Sequence, residues 1–418
     1  MLAEIIAAGS EMLTPFRQDT NSLYLTAGLN DLGVTVAFKT IVGDSFEHLT
    51  GAARNALARA DIVIFSGGLG PTEDDLTREA AASALLVGLH QDGSVLAGLY
   101  KRFAARRMAM PPNNAKQADV LDGASILENQ NGSAPGQFLD TQYEGQRRIV
   151  ILLPGPPREL KPMFDEQVRP RLKMLLPPRF LARRELRMAL LPESLVDSQT
   201  APIYKQYQDV ATTILAHNGE IHLHFECAAP TFAQAKARVD ELAGEIEHEM
   251  EDDIFSSNGE TLEEVVLLML GMRALTLAAA ESCTGGLLGG RLTAIAGSSR
   301  YFLGGAIVYA DQLKTTFAGV PAELVEREGP VSEPVAKALA EGIRERTGAS
   351  IGLSITGIAG PGPGTGADED KPIGLVYIGL ADAEGTTVKE LKLTTPDRER
   401  IRWWATEHAL EMVRRHLL

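Results

Sequence analysis

The sequence predicts an α/β protein of three domains, and three observations carry that expectation. Short apolar runs alternate with amphipathic stretches that open on Asp, Ser or Thr, the pattern of strands covered by capped helices. Glycine-rich turns directly follow several of the apolar runs. The 418 residues also exceed one ordinary domain of about 100–200 residues.

The alternation is clearest over residues 1 to about 170. Ala3 to Ala8 reads as a strand, and Thr20-Asn21-Ser22 caps a helix that runs to Leu32 and stops at Gly33. Val34 to Val42 follows as a strand, and Asp44 or Ser45 opens an amphipathic helix ending near Ala60. Asp61 to Phe65 is short and wholly apolar after its first residue, as strands buried on both faces of a parallel sheet are.

Directly after that strand comes Ser66-Gly67-Gly68-Leu69-Gly70-Pro71-Thr72-Glu73-Asp74-Asp75. Glycines at such a place let backbone amides approach a ligand, and a following helix start suits a phosphate. No Gly-Lys-Ser/Thr follows, so this is not a P-loop. Asp74 and Asp75 either complement the dipole of that helix or hold a hard divalent cation against a diphosphate, and the two readings are compatible. Asn131-Gly132 lies in a second polar glycine loop, and Pro154-Gly155-Pro156-Pro157 follows the strand Arg148 to Leu153. Three such loops after or between strands favour one ligand site at a sheet edge.

Residues from about 171 to 255 differ in texture, opening on Pro177-Pro178 and the basic Arg183, Arg184 and Arg187. Ile221 to Phe225 alternates as a strand and Phe232 to Met250 reads as an amphipathic helix, giving a small α+β module. His217, His222 and His224 are expected to mark one sheet face rather than a metal site. Ser256 to Glu260 is a turn-rich linker, so a third domain spans 256–418.

In that domain the apolar run Ala274 to Ala280 precedes Glu281-Ser282-Cys283-Thr284-Gly285-Gly286, which predicts strand, sharp turn, helix. A hydroxyl there would lie beside free backbone N–H groups, where an oxyanion is stabilised. Ser282 or Thr284 as a simple N-cap is the other reading. Gly304 to Ala310 is expected as a buried-type strand leading to Asp311-Gln312-Leu313-Lys314. A lysine at such a place is either a surface residue or a base for a serine hydroxyl. Ile351 to Gly357 runs into a glycine-proline loop through Gly366, either a ligand cradle or, with its acidic tail Asp368 to Asp370, an exposed flexible segment. The final helix starts near Asp397 and carries Arg398, Arg400 and Arg402, which are either phosphate ligands or solvated charge.

The residues Gly9-Ser10-Glu11, Asp19 to Ser22, Gly67 to Thr77, Asn131 to Gly136 and Pro154 to Glu159 resemble the CinA family, whose N-terminal part is similar to the molybdopterin-binding fold. Ala280 to Gly286, Val308-Tyr309 with Lys314, and Thr356 to Pro361 resemble the C-terminal domain of the same family. The resemblance implies an N-terminal molybdopterin-binding-like α/β domain, a KH-like α+β connector and a C-terminal α/β deamidase domain. The implied activities are metal-dependent hydrolysis of ADP-ribose to AMP and ribose 5-phosphate in the first domain, and hydrolysis of nicotinamide mononucleotide (NMN) to nicotinic acid mononucleotide and ammonia in the third. It makes Ser282 the nucleophile, Lys314 its base, and Tyr309 and Thr356 lining residues. Thr284, Gly285, Gly286, Gly357 and Arg398 are then substrate contacts. In the first domain, Gly67, Gly68, Gly70, Thr72, Asn131 and Gly132 would bind substrate and Asp74 and Asp75 a divalent metal, whereas the deamidase would need no cofactor. A non-catalytic nucleotide- or pterin-binding scaffold is the alternative.

Composition narrows the partners. A net charge of −15 opposes general nucleic-acid binding, and the connector segment Arg169 to Asp253 holds 10 Lys or Arg against 14 Asp or Glu and lacks a GxxG loop. No apolar run approaches a membrane span, and Glu4 interrupts any signal-peptide core. Two cysteines, Cys227 and Cys283, fit a reducing compartment, so a cytoplasmic homodimer acting on small nucleotides is expected.

Overall fold

The computed structural model describes residues 1–176, 179–364 and 366–418, so Pro177, Pro178 and Thr365 of the segments above lie outside the described residues. The chain divides into two compact units, Met1–Ala182 with Ala228–Lys236, and Arg183–Cys227 with Ala237–Leu418. The expected boundary at 255/256 falls inside the second unit. There Trp403 Nε1 donates to the carbonyl of Asn218 at 2.8 Å and the Arg414 guanidinium to that of Asp252 at 2.8 Å. No helix among the described residues is long and apolar enough to cross a membrane.

The first unit is organised by a six-stranded sheet in the order Thr35–Val42, Leu2–Ala8, Ile62–Ser66, Gln146–Leu153, Gly136–Tyr143, Ser125–Leu127. The first four strands are mutually parallel and the last two turn antiparallel. Ile62–Ser66 is buried at every residue, as its apolar run predicts, because helices cover both faces. Side chains alternate between faces with period two. Val63, Phe65, Val150 and Leu152 pack on Leu49, Ala53 and Leu57 of the helix Phe46–Arg59. Ile62, Ile64, Ile149 and Ile151 pack on Leu25, Leu29 and Phe164. The expected cap Thr20 is itself the first helical residue of Thr20–Asn30, since the Asp19 carboxylate accepts the Ser22 N–H. Ser45 caps Phe46–Arg59 as its sequence suggests.

The strand Glu220–Ala229 and the helix Phe232–Met250 form as the alternation and amphipathic spacing require. The connector's sheet has the order Val210–His217, Glu220–Ala229, Phe180–Ala189, Ile254–Ser256.

A second, five-stranded sheet has the order Phe302–Ile307, Leu277–Glu281, Ile351–Gly357, Leu375–Ala381, Thr386–Lys392, parallel over the first three strands. Leu277 and Ala279 face the helices Leu262–Met272 and Arg398–His416, while Ala278 and Ala280 face Glu333–Thr347. That last helix sits close because Gly352 and Gly379 have no Cβ, which would meet the carbonyl oxygens of Ala340 and Ala336 at 2.1 and 2.6 Å. Phe302–Ile307 is an edge strand in which every residue after Phe302 is partly or fully exposed, not the buried strand expected from its apolar composition. Thr261 caps Leu262–Met272 in a reciprocal box with Glu264.

Candidate functional site

Two cavities coincide with the glycine-rich turns. In the second unit, the strands Leu277–Glu281 and Ile351–Gly357 end side by side, and the Ser282 N–H donates to the Ile355 carbonyl at 2.9 Å. A cleft of 330 Å³ opens there, lined among others by Ser282, Cys283, Tyr309, Asp311, Lys314, Gly357 and Arg398. Five sequence-predicted residues, Ser282, Tyr309, Lys314, Gly357 and Arg398, are thus brought together. Arg398 donates through one terminal nitrogen to the Gly360 carbonyl at 2.6 Å and through the other to the Tyr309 hydroxyl at 3.3 Å. Tyr309 stands exposed at the rim, and Lys314 is buried. The Lys314 ammonium donates to the Val308 carbonyl at 3.3 Å and to Asp311 Oδ1 at 3.0 Å. Its charged partner is therefore an anion, not the cationic neighbour that would have favoured a neutral amine.

Adjacent Cys283 is buried in the hydrophobic core, and desolvation pushes its thiol up to about 12. A thiol so placed is protonated at neutral pH and is a poor nucleophile. Ser282, also largely buried, lines the same cleft and offers a hydroxyl beside that protonated thiol.

Four expected contacts do not line the cleft. Thr356 is fully buried, and its hydroxyl donates to the Pro330 carbonyl at 2.8 Å, so it fixes the turn before the helix Glu333–Thr347. Thr284, Gly285 and Gly286 form the turn beneath the cleft. The helix Leu287–Thr293 begins only after them, and its start is occupied: Glu281 accepts the N–H groups of Gly286 and Leu288, each at 3.1 Å, and of Gly289 at 2.8 Å. The expected oxyanion donor at Gly286 is thereby used up. The Gly285 N–H is bound to the Ser282 carbonyl, leaving the N–H groups of Cys283 and Thr284 without an acceptor among the described residues.

Sequence reasoning placed Asp368 in the loop's acidic tail and left Arg402 between phosphate ligand and solvated charge; the structure gives each another role. Asp368 is buried, accepts the Val331 N–H at 3.0 Å and pairs with Lys371 at 2.7 Å, so the start of the acidic tail anchors the glycine-proline loop instead of trailing in solvent. Arg402 donates to the Thr284 carbonyl at 2.6 Å, holding the turn from below. Neither signal is local in sequence.

In the first unit a cavity of 540 Å³ is lined by Gly67, Gly68, Gly70, Thr72, Asp74 and Asp75 together with Glu11, Arg17, Asp44 and Glu159. Gly67 has a φ of 102° and lies against the Ala8 carbonyl, leaving no room for a side chain. Arg78, buried and lowered in pKa by desolvation, donates to the carbonyls of Leu69 at 3.0 Å and Gly70 at 3.1 Å and thereby shapes the loop. Asp74 and Asp75 are not at the helix start, because Thr77–Leu85 begins one turn later. Asp75 closes that turn, its Oδ2 accepting the Thr72 N–H at 2.9 Å and hydroxyl at 2.6 Å. The Asp74 and Glu11 carboxylates have no hydrogen-bond partner among the described residues, but no three carboxylates of this cavity converge on one point, so a cation here would take part of its oxygen ligands from a substrate diphosphate or from water. Asn131 and Gly132 do not line the cavity. Asn131 instead donates to the Arg158 carbonyl at 3.1 Å, and Gly132 makes room for the Glu159 carboxylate.

Residues 259–417 match the family model for the CinA C-terminal domain, and residues 4–174 match that for a probable molybdopterin binding domain. A CinA-like protein of Acidobacterium capsulatum is 60% identical over 418 residues, covering 100% of both chains. The chain belongs to the CinA family. A second CinA-like protein, from Koribacter versatilis, is 57% identical over 418 residues and again covers 100% of each chain. A putative competence-damage inducible protein of Moorella thermoacetica is 42% identical over 424 residues, covering 100% of this CinA-family chain and 99% of its own. The crystal structure of competence/damage inducible protein CihA from Agrobacterium tumefaciens is 36% identical, covers 36% of this chain and 90% of that one, and has a TM-score of 0.35.

Proposed function

We propose that the second unit is a serine amidohydrolase whose substrate is NMN, and that the first unit hydrolyses ADP-ribose with a divalent cation. The observation that carries the first half is that one cleft is lined by both a strand-end serine, Ser282, and a buried lysine, Lys314, beside a sequestered thiol. Lys314 first gives up its ammonium proton to solvent; the resulting amine takes the Ser282 proton, Oγ forms a bond to the carboxamide carbon, and the carbonyl electron pair moves to oxygen. The unclaimed N–H groups of Cys283 and Thr284 are the donors available to that oxyanion. The C–N bond then breaks, ammonia leaves with the proton from Lys314, and water hydrolyses the acyl-serine. Tyr309 and Arg398, joined at the rim, are suited to the ribose and phosphate.

In the first unit, Asp74 and Glu11 would hold the cation, with Asp75 and Asp44 nearby. When bound, it offsets diphosphate charge and polarises a phosphoryl oxygen. This chain's own share is the loop Gly67 to Thr72, braced by Arg78, and Arg17 as the one basic side chain lining the cavity among the described residues.

The test is ammonia release from NMN and AMP formation from ADP-ribose by the purified chain, each with and without chelator. The expected result is chelator-resistant release of ammonia and chelator-sensitive formation of AMP. A protein that binds both nucleotides and turns over neither is the scaffold of the alternative reading.

A further inference from the structure

On the strand Glu220–Ala229, Ile221, Leu223 and Phe225 are buried, so Glu220, His222 and His224 share the opposite face. Glu185 reaches them from the strand Phe180–Ala189, whose Leu186 and Met188 point into the core. Its Oε1 lies 3.2 Å from His222 Nδ1 and 3.9 Å from His224 Nε2, and a ligand atom from each of the three residues falls within 4.8 Å of the others. Among the described residues no other set of three imidazole, thiolate or carboxylate groups converges this way.

Those spacings are close to what a tetrahedral ion needs. Metal–ligand bonds of about 2.0–2.1 Å place neighbouring ligand atoms roughly 3.3 Å apart. The Glu185–His222 edge is already there, and small side-chain rotations close the others.

A second observation concerns the far nitrogen of His222, whose Nε2 lies 2.6 Å from Glu220 Oε2. A neutral imidazole that donates Nε2–H to Glu220 turns the Nδ1 lone pair toward Glu185. A carboxylate holding the distal N–H of a histidine is the usual support of a metal-bound imidazole. Arg187 donates to Glu185 Oε1 at 2.7 Å, which orients the carboxylate and balances part of its charge. His224, with a side chain 41% exposed, leaves an entry path from solvent. His217, bonded to Asn218 at the strand end, is outside the set.

We propose that Glu185, His222 and His224 form a binding site for a divalent transition metal of the zinc class, with Glu220 as the positioning carboxylate and one coordination position open to water. The donor set of two imidazoles and a carboxylate suits a borderline ion and not magnesium or calcium. The site lies outside both cavities described above, and does not depend on either proposed activity.

The experiment is a titration of the full, metal-stripped chain with Zn²⁺ against a chromophoric chelator, with excess Mg²⁺ to occupy oxygen-donor sites. Binding of a single zinc is expected. His222→Ala and His224→Ala should each weaken it by at least about 100-fold, and Glu220→Gln by about 10- to 100-fold. His224→Gln, at the most exposed ligand, guards against a folding defect, and its circular dichroism should match the parent. Unchanged zinc affinity in the His222→Ala, His224→Ala double variant would overturn the proposal. So would a parent chain that binds no zinc while NMR shows His222 doubly protonated at neutral pH, an imidazolium held between Glu185 and Glu220.

Discussion

Glu281 accepts the backbone N–H of Gly289 at 2.8 Å through one carboxylate oxygen, while its other oxygen takes those of Gly286 and Leu288. An internal anion therefore occupies the helix N-terminus that a substrate oxyanion might have used. In Glu281→Gln the amide nitrogen cannot accept, so one buried N–H loses its partner. The expected loss is about 1–3 kcal/mol of unfolding free energy, read from urea denaturation. A variant as stable as the parent would mean that these bonds contribute nothing net.

Ser282 and Cys283 are neighbours that line one cleft, and the thiol of the second belongs to the hydrophobic core. With its thiol pushed up to about 12, Cys283 is roughly one part in 100,000 thiolate at pH 7. Ser282→Ala should abolish ammonia release from NMN, while Cys283→Ala should retain most of it. Iodoacetamide should label Cys283 in the native chain far more slowly than in urea. Loss of activity in Cys283→Ala with activity kept in Ser282→Ala would make the thiol the nucleophile.

The acid pair of the first unit should divide its labour. Asp74→Asn removes an unengaged carboxylate and should reduce metal affinity and AMP formation without lowering stability. Asp75→Ala removes the acceptor for two Thr72 donors and should also cost about 1–3 kcal/mol. The double Asp→Asn variant should eliminate ADP-ribose hydrolysis and leave NMN deamidation unchanged. Parent-rate hydrolysis in that variant would remove both residues from the metal site.

Glu407 is fully buried, and desolvation raises its carboxyl to about 7 although Arg291 pairs with it at 2.7 Å and opposes the shift. Between the ordinary value of 4.5 and 7 the folded chain holds a proton that the unfolded chain has lost. Stability contributed by this group is thus present below the unfolded pKa and declines as pH rises toward the folded one, by at most about 1.4 kcal/mol per pH unit. Chemical denaturation at pH 5 and pH 7.5 should show that decline in the parent and a smaller one in Glu407→Gln. Equal slopes would place the titration elsewhere.

Much of this was legible in sequence because it is local. Apolar runs marked Ile62–Ser66 and Leu277–Glu281, helix openers marked Ser45 and Asp397, and glycines after strands marked both cavities. What was not legible depends on partners far along the chain. Arg78 looks like any helix arginine until its loop folds back over it, and Asp368 reads as an acidic tail until Val331 and Lys371 reach it. Thr356 and Gly286 lie off the cleft lining because a motif specifies which residues gather, while the fold decides the bonds each makes, Thr356 to the Pro330 carbonyl and Gly286 to Glu281. The edge position of Phe302–Ile307 is likewise a property of the sheet and not of the strand.

The burial of Cys283 also bears on oxidants. Peroxide attacks accessible thiolates first and converts them stepwise to sulfenic and higher acids. If the proposed serine chemistry holds, its working oxygen sits next to a sulfur that burial shields from peroxide. Ammonia release would then persist through a peroxide treatment that silences a thiol-dependent amidase.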